Sequence, residues 1–389
     1  MKSWKGGEGQ FNKVRAKGLL ILFLIIFLSG SSVYADSNDF ILEYNLKRLP
    51  EPNYNLSNNE HKFYLPEFHV RGIYVTGWVA GTEEKMQELI ELVDKTVLNA
   101  MVIDVKDQQG FLSYNSSVKL AKEIGANRNK IKNIKGLLNR LHNKGIYTIA
   151  RLAIFKDALL AKSRPDLALP IWDPYQKKVI YSKSWVDPSK KEVWDYNVLL
   201  AREAVELGFD EIQFDYIRYP ALAKSPLEAI LKENKTKSEI INSFAAYTRD
   251  KLADLNVPIS IDVFGLTTTV KDDLGIGQNF AQLTDIIKII SPMVYPSHYA
   301  AGSYGIEIPA SQPYQIIYKS LVDARKKVIN KKNVIIRPWL QDFSLGYQYS
   351  FQEVIDQIRA AESLDINEWL LWNPQSKYTK EALLNPPIN

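Results

Sequence analysis

Cysteine is absent from the 389 residues, and histidine occurs only four times. The first absence excludes disulfides, thiolate nucleophiles, thiolate zinc sites and a lipid-modified cysteine. The histidines, at 61, 69, 142 and 298, stand at no metal-ligand spacing, which argues against a zinc hydrolase, and no metal site is expected. No glycine-rich phosphate turn follows an apolar run and no G-x-S-x-G elbow occurs, so neither a nucleotide cofactor nor a serine hydrolase is expected. Charge of one sign is also scarce. The net charge is +5, and Lys2, Lys5, Lys13, Arg15 and Lys17 crowd into the extreme N-terminus, so no nucleic-acid surface is read from it. The basic NRNKIKNIK after Ala126 reads as a solvated helix start.

Long apolar runs are few, and one is informative. GLLILFLIIFL follows Lys17 and leads into SGSSVYAD. That core is shorter than the roughly 20 residues a membrane span needs. Val33 and Ala35 satisfy the small-residue rule for cleavage between Ala35 and Asp36. Residues 1–35 are therefore expected to be a signal peptide, residues 36–66 a polar arm, and residues 67–389 a single folded domain. The expected location is secreted or extracytoplasmic, with association to the cell envelope; the alternative is an uncleaved N-terminal anchor.

From Val70 onward short apolar runs alternate with amphipathic helical stretches. The runs are VRGIYVTGW, AMVIDVKD, IYTIARLAIF, FDEIQFDYIRYP, VPISIDVFG, DIIKIISPMVYP, NVIIRPWLQD and EWLLWNP. Gly145 and Gly208 end two of the intervening helices, Thr82 suits a helix N-cap, and Ser189/Glu192 and Ser350/Glu353 have capping-box spacing. The segment from RPDLALPIWDP to SWVDP reads as a long connection. Eight strands alternating with helices predict an α/β fold, one (β/α)₈ TIM barrel. An open doubly wound sheet is disfavoured because polar residues recur at the C-terminal ends of most runs.

Barrels collect function at those ends. Side chains alternate along a strand. In FDEIQFDYIRYP the apolar Ile212, Phe214 and Tyr216 must pack under helices, which turns Glu211, Gln213 and Asp215 toward the axis. Ser260 and Asp262 face inward by the same rule. Asp215 and Asp262 then end neighbouring strands about 5 Å apart. Two crowded carboxyls are the equipment of glycosidic cleavage, one as acid and the other as nucleophile or base. Asp104, Arg151, Arg218, Tyr219, Tyr295 and His298 are candidate substrate contacts, and Trp339 and Trp372 are candidate stacking platforms for sugar rings. Asp107 and Asp342 read as structural, and Trp78, Trp172, Trp185, Trp194 and Trp369 as packing.

RGIYVTGWVAGT, LNAMVIDVKDQQGFLSY, GIYTIARLAIFKD, LGFDEIQFDYIRYP, ISIDVFGLT and SPMVYPSHY together make the chain resemble a bacterial family of inferred glycoside hydrolases. That family was first catalogued as a domain of unknown function and is related to the α-amylase-like TIM-barrel glycosidases. The resemblance covers about Val70 to Asn373. It implies Asp215 as nucleophile and Asp262 as acid/base, an aspartate where the α-amylase group carries a glutamate. The resulting expectation is a secreted hydrolase of poly- or oligosaccharides acting by retention. A non-catalytic glycan-binding barrel is the alternative, and a polysaccharide deacetylase is disfavoured for lack of metal ligands.

Overall fold

The computed structural model describes residues 66–221 and 235–384. The expected signal peptide and nearly all of the polar arm lie outside the described residues. Eight parallel strands close into a barrel, and they are the eight runs of the sequence. In chain order the strands are β1 (Arg71–Val75), β2 (Ala100–Lys106), β3 (Tyr147–Ala153), β4 (Ala168–Asp173), β5 (Lys178–Val186), β6 (Glu211–Asp215), β7 (Ile259–Phe264), β8 (Ile289–Met293), β9 (Ile335–Ile336), β10 (Trp339–Gln341) and β11 (Trp369–Trp372). The seventh barrel strand is two pieces, β9 and β10, split at Arg337 and Pro338, where proline removes a ladder donor. Closure runs through β10, which pairs with β8 at Trp339–Met293 and with β11, and β11 in turn pairs with β1.

Helices such as Glu83–Asp94, Lys191–Leu207 and Lys237–Leu252 cover the outside. Gly208 ends the second of these in the left-handed region at φ 117°, which is why glycine stands there. Ser350 and Glu353 form the expected capping box, and Thr236 with Glu239 forms another. The Ser189/Glu192 box does not form. Ser189 turns its hydroxyl to Asp187 at 2.8 Å, Glu192 pairs with Arg164 at 2.7 Å, and Lys190 occupies the N-cap. Thr82 is an N-cap by position, but its hydroxyl donates back to the Trp78 carbonyl.

The connection after β3 also differs from expectation. It folds into an antiparallel hairpin, β4–β5, on the mouth side of the barrel. Its inner end is fastened by Val186 N–H donating to the Phe155 carbonyl and Asp187 N–H to the Leu167 carbonyl.

Two apolar shells confirm the alternation. Ile73, Met101, Ile212, Phe214 and Ile261 belong to the large cluster under the helices. Val102, Ile149, Trp339 and Leu370 belong to a smaller one inside the barrel. The inward polar row on β6 is thereby divided by depth. At the bottom Glu211, fully buried, takes both oxygens to Arg337 Nη1 at 2.7 and 3.0 Å. Arg337 Nε donates to Glu368 at 2.7 Å, and Ser260 and Tyr147 donate to Glu211. Gln213 lies a layer above and reaches Ser291. Asp215 is uppermost, at the mouth.

Removing one member of a buried ionic set leaves its partners uncompensated, which costs about 3–5 kcal/mol. Arg337→Met is therefore expected to lower unfolding stability by about that amount in urea titration. A loss below roughly 1 kcal/mol would show that the bottom network contributes nothing beyond volume.

Candidate active site

At the C-terminal ends of β2, β3 and β6 one guanidinium ties two carboxylates together. Arg151, in register with Asp104 and Gln213, projects inward. Its Nη1 donates to Asp104 Oδ1 at 2.5 Å, and its Nε donates to Asp215 Oδ2 at 3.1 Å, joined there by Nη2. Tyr74 O–H donates to the second Asp104 oxygen at 2.5 Å. Asp215 Oδ1 accepts from the Tyr216 N–H at 2.5 Å. Tyr216 has φ 53°, a strained conformation for an aromatic residue, which lets the chain turn back onto the carboxylate it has just delivered.

Asp262, on the neighbouring β7, completes the group. Its Oδ1 accepts from the indole N–H of Trp339 at 2.7 Å. Burial, and then the negative charge of Asp215, hold the Asp262 carboxyl well above the usual carboxylate range. Since Trp339 fills Oδ1, the proton belongs on Oδ2. Asp104 is also raised by burial, against the pull of Arg151 and Tyr74. The arrangement can therefore supply one proton donor, Asp262, beside two carboxyl groups that share a single guanidinium.

The other expected contacts divide. Tyr295 lies inside the barrel near both Asp262 and Asp215, and their charges raise its pKa further after burial has done most of that work. His298 sits on the rim, edge-on to Tyr295 and Phe343, with desolvation lowering its pKa. Trp372 stacks on Tyr74 at 3.9 Å and receives the Arg151 guanidinium over its ring. Arg218 lies beside Asp215, sandwiched among Trp185, Tyr216 and Phe264.

Three expectations need correction. Trp339 is 1% exposed and offers no ring face to a sugar; it positions Asp262. Tyr219 is 1% exposed in the outer core near Lys237, because the strand ends at Asp215 and the left-handed Tyr216 breaks the alternation. Arg151 directs Nε, Nη1 and Nη2 at Asp104 and Asp215, so its main partners are the protein's own carboxylates and not sugar hydroxyls. Trp78, read as packing, is 65% exposed just past the end of β1. Asp107 and Asp342 are structural as expected: Asp107 closes a turn and pairs with Lys130, and Asp342 anchors Thr379. The sequence reading missed Tyr74, Tyr216, Phe343 and Lys156. Of these Tyr74 was readable, since period two places it on the inward face of β1 with Gly72.

Residues 72–378 match the model of the family described as "Putative glycosyl hydrolase domain". The chain belongs to that family. No curated protein matches it. Among solved structures, a hypothetical protein from Ruminiclostridium thermocellum is 36% identical, with 52% of this chain and 98% of that one covered and a TM-score of 0.42. The glycoside hydrolase domain of PgaB (BpsB) from Bordetella bronchiseptica is similar in fold, with a TM-score of 0.58 at 11% identity over 79% of this chain and 95% of that one. An inactive mutant of the GH20 exo-β-N-acetylglucosaminidase from Vibrio harveyi has a TM-score of 0.50 at 12% identity, over 82% and 54%. The TIM-barrel fold and the glycosidase-like domain expected from the sequence are thereby established.

The raised Asp262 has a signature in stability. Below about pH 3.9 the aspartate is protonated in both folded and unfolded chains. As pH climbs toward the raised native value, only the unfolded chain releases the proton, so stability falls by up to about 1.4 kcal/mol per pH unit. Asp262→Asn has no such proton and keeps an acceptor for Trp339. Urea unfolding between about pH 4 and pH 8 is expected to show the variant gaining on the parent as pH rises. Parallel curves would mean that Asp262 is not raised.

Proposed function

We propose that this chain is an exported glycoside hydrolase that cleaves a poly- or oligosaccharide with retention of configuration, Asp215 being the nucleophile and Asp262 the acid/base. The observation that carries the reading is the pairing of unlike environments on adjacent strands: Asp215 against a guanidinium, Asp262 buried beside a neutral indole with its carboxyl held well above the usual range. Neighbouring parallel strands lie about 4.8 Å apart, a spacing close to the roughly 5–5.5 Å carboxyl separation of retaining enzymes.

In the first step Asp262 Oδ2 gives its proton to the leaving oxygen as an Asp215 oxygen bonds to the anomeric carbon. Arg151 and the Tyr216 N–H hold the Asp215 plane against rotation. Esterification removes the negative charge of Asp215, which after burial is the largest cause that raises Asp262. The pKa of Asp262 then falls, and as a carboxylate it takes a proton from the water that releases the sugar. The charge cycle on one aspartate sets the acid and base roles of the other. The leader ending at Ala35 supports export, and envelope glycans are then the accessible substrates.

One observation favours a second reading, a barrel that binds glycan without turnover. Asp262 is 1% exposed and Asp215 5%, so a sugar reaches them only if the mouth side chains above them yield. Asp215→Asn separates the two readings. It preserves size and acceptor capacity at one oxygen but removes the charge, and turnover is expected to fall by several orders of magnitude with folding intact. Asp262→Asn should spare aryl glycosides with good leaving groups, which need little protonation. Near-native turnover by Asp215→Asn would place the catalytic pair elsewhere.

A further inference from the structure

Beside Asp215 the mouth holds two cations that the proposed mechanism does not use. Arg218 is 4% exposed, and among the described residues its hydrogen bond is a donation from Nη1 to the Tyr219 carbonyl at 3.0 Å. No carboxylate pairs with it among the described residues. Its guanidinium lies 4.4 Å from the Phe264 ring centre, 4.9 Å from Trp185 and 5.3 Å from Tyr216. Lys156, half-buried just past β3, has its Nζ 5.1 Å from the Tyr216 ring centre, again with no ion pair among the described residues. Burial, and then the nearby charge of Arg218, weaken the hold of Lys156 on its proton.

Taking a guanidinium out of water without an anion is unfavourable, and ring faces compensate only in part. Other buried cations of this protein show the contrast: Arg151, Arg337 and Lys106 each face carboxylates.

The surroundings extend the same chemistry. Trp185, which packs on Arg218, is the inner end of the β4–β5 hairpin. Farther out that hairpin exposes Lys177, Lys178 and Lys183 beside Tyr175 and Tyr181, none of the lysines in an ion pair among the described residues. Cations interleaved with aromatic faces suit a sugar chain that carries acidic groups: rings stack on the pyranose faces and lysines meet the charges.

We propose that the mouth takes an anionic glycan, with Arg218 and Lys156 receiving a carboxylate or phosphate substituent of the sugar next to the scissile bond and the hairpin lysines following the chain outward. This rests on the mouth being the glycan site and names the class of glycan. It also explains how an acidic polymer could approach a centre that already holds two carboxylates, a contact that repulsion would otherwise oppose.

The test is an array of neutral, uronate-bearing and phosphate-bearing oligosaccharides, probed with the full chain and with its Asp215→Asn form, so that turnover does not erase the ligand. Both forms are expected to retain acidic glycans, less so at high salt, and the uronate and phosphate arms tell the two anions apart. Arg218→Gln should weaken retention roughly ten- to a hundredfold, the effect of losing a charged hydrogen bond, and leave any neutral contacts unchanged. Should Arg218→Gln unfold, Lys156→Gln at the half-exposed position carries the same comparison, with Lys178→Gln as a milder one. Equal retention of neutral and acidic glycans, no retention of any acidic glycan, or indifference to both mouth substitutions overturns the proposal. Because the array reads binding, acidic glycans held by a chain without turnover would sink the hydrolase reading and leave this one standing. Neutral glycans cleaved in a manner dependent on Asp215 would do the reverse.

Discussion

Everything at the mouth depends on the Arg151 guanidinium lying between Asp104 and Asp215. Three aspartates end three strands of one barrel, and two carboxylates about 5 Å apart repel by roughly 3 kcal/mol at an effective dielectric of 20. Unbalanced, such a set would either take up protons throughout or push the strand ends apart. Arg151 stands on β3, between the strands that carry Asp104 and Asp215, so its planar fork spans both pairings at once. The pairing that balances charge also fixes the positions of two carboxylates relative to the barrel axis. Lysine, with a single point charge, would satisfy one of them and leave the other loose.

That clamp reaches only two of the three aspartates, and the third takes its character from being left out. Asp262 receives one neutral hydrogen-bond donor, the Trp339 indole, feels Arg151 without a hydrogen bond from it, and lies buried in the field of Asp215. Burial together with unequal access to one cation sets identical side chains apart, Asp262 holding its proton well above the usual carboxylate range. The same logic operates lower in the barrel, where Glu211 is fully matched by Arg337, Ser260 and Tyr147 and is given a structural task. Along β6, therefore, depth decides environment: an ion pair at the bottom, an amide in the middle, a clamped carboxylate at the mouth.

Much of this was legible because barrel strands buried on both faces are nearly all apolar, so an inward polar residue stands out. The eight runs and the inward facing of Asp215 and Asp262 follow from that contrast. What failed was what tertiary partners decide. Ser189 and Glu192 have capping-box spacing, yet Asp187 and Arg164 compete for them more effectively. The β4–β5 hairpin escaped notice because only its inner end is buried, while its outer half turns lysines and tyrosines to solvent and shows no apolar alternation. Tyr219 and Trp339 were misplaced for different reasons. One backbone angle at Tyr216 ends the alternation that carried Tyr219 inward, and nothing in a sequence tells whether an indole presents its face or its N–H.

The central claim is that Asp215 forms a bond to the sugar. Reagents carrying fluorine at the sugar 2-position and fluoride as leaving group form glycosyl esters quickly and lose them slowly, because the 2-fluorine opposes the positive charge of the second step. Incubating the protein with a panel of such 2-deoxy-2-fluoro glycosyl fluorides, followed by digestion and mass spectrometry, reads the bond directly. The account predicts one added sugar on the peptide containing Asp215, and none on that peptide after Asp215→Asn. A label on Asp104, on Asp262 or on any other residue, or full turnover of a glycan whose fluoro analogue leaves no label, would contradict it.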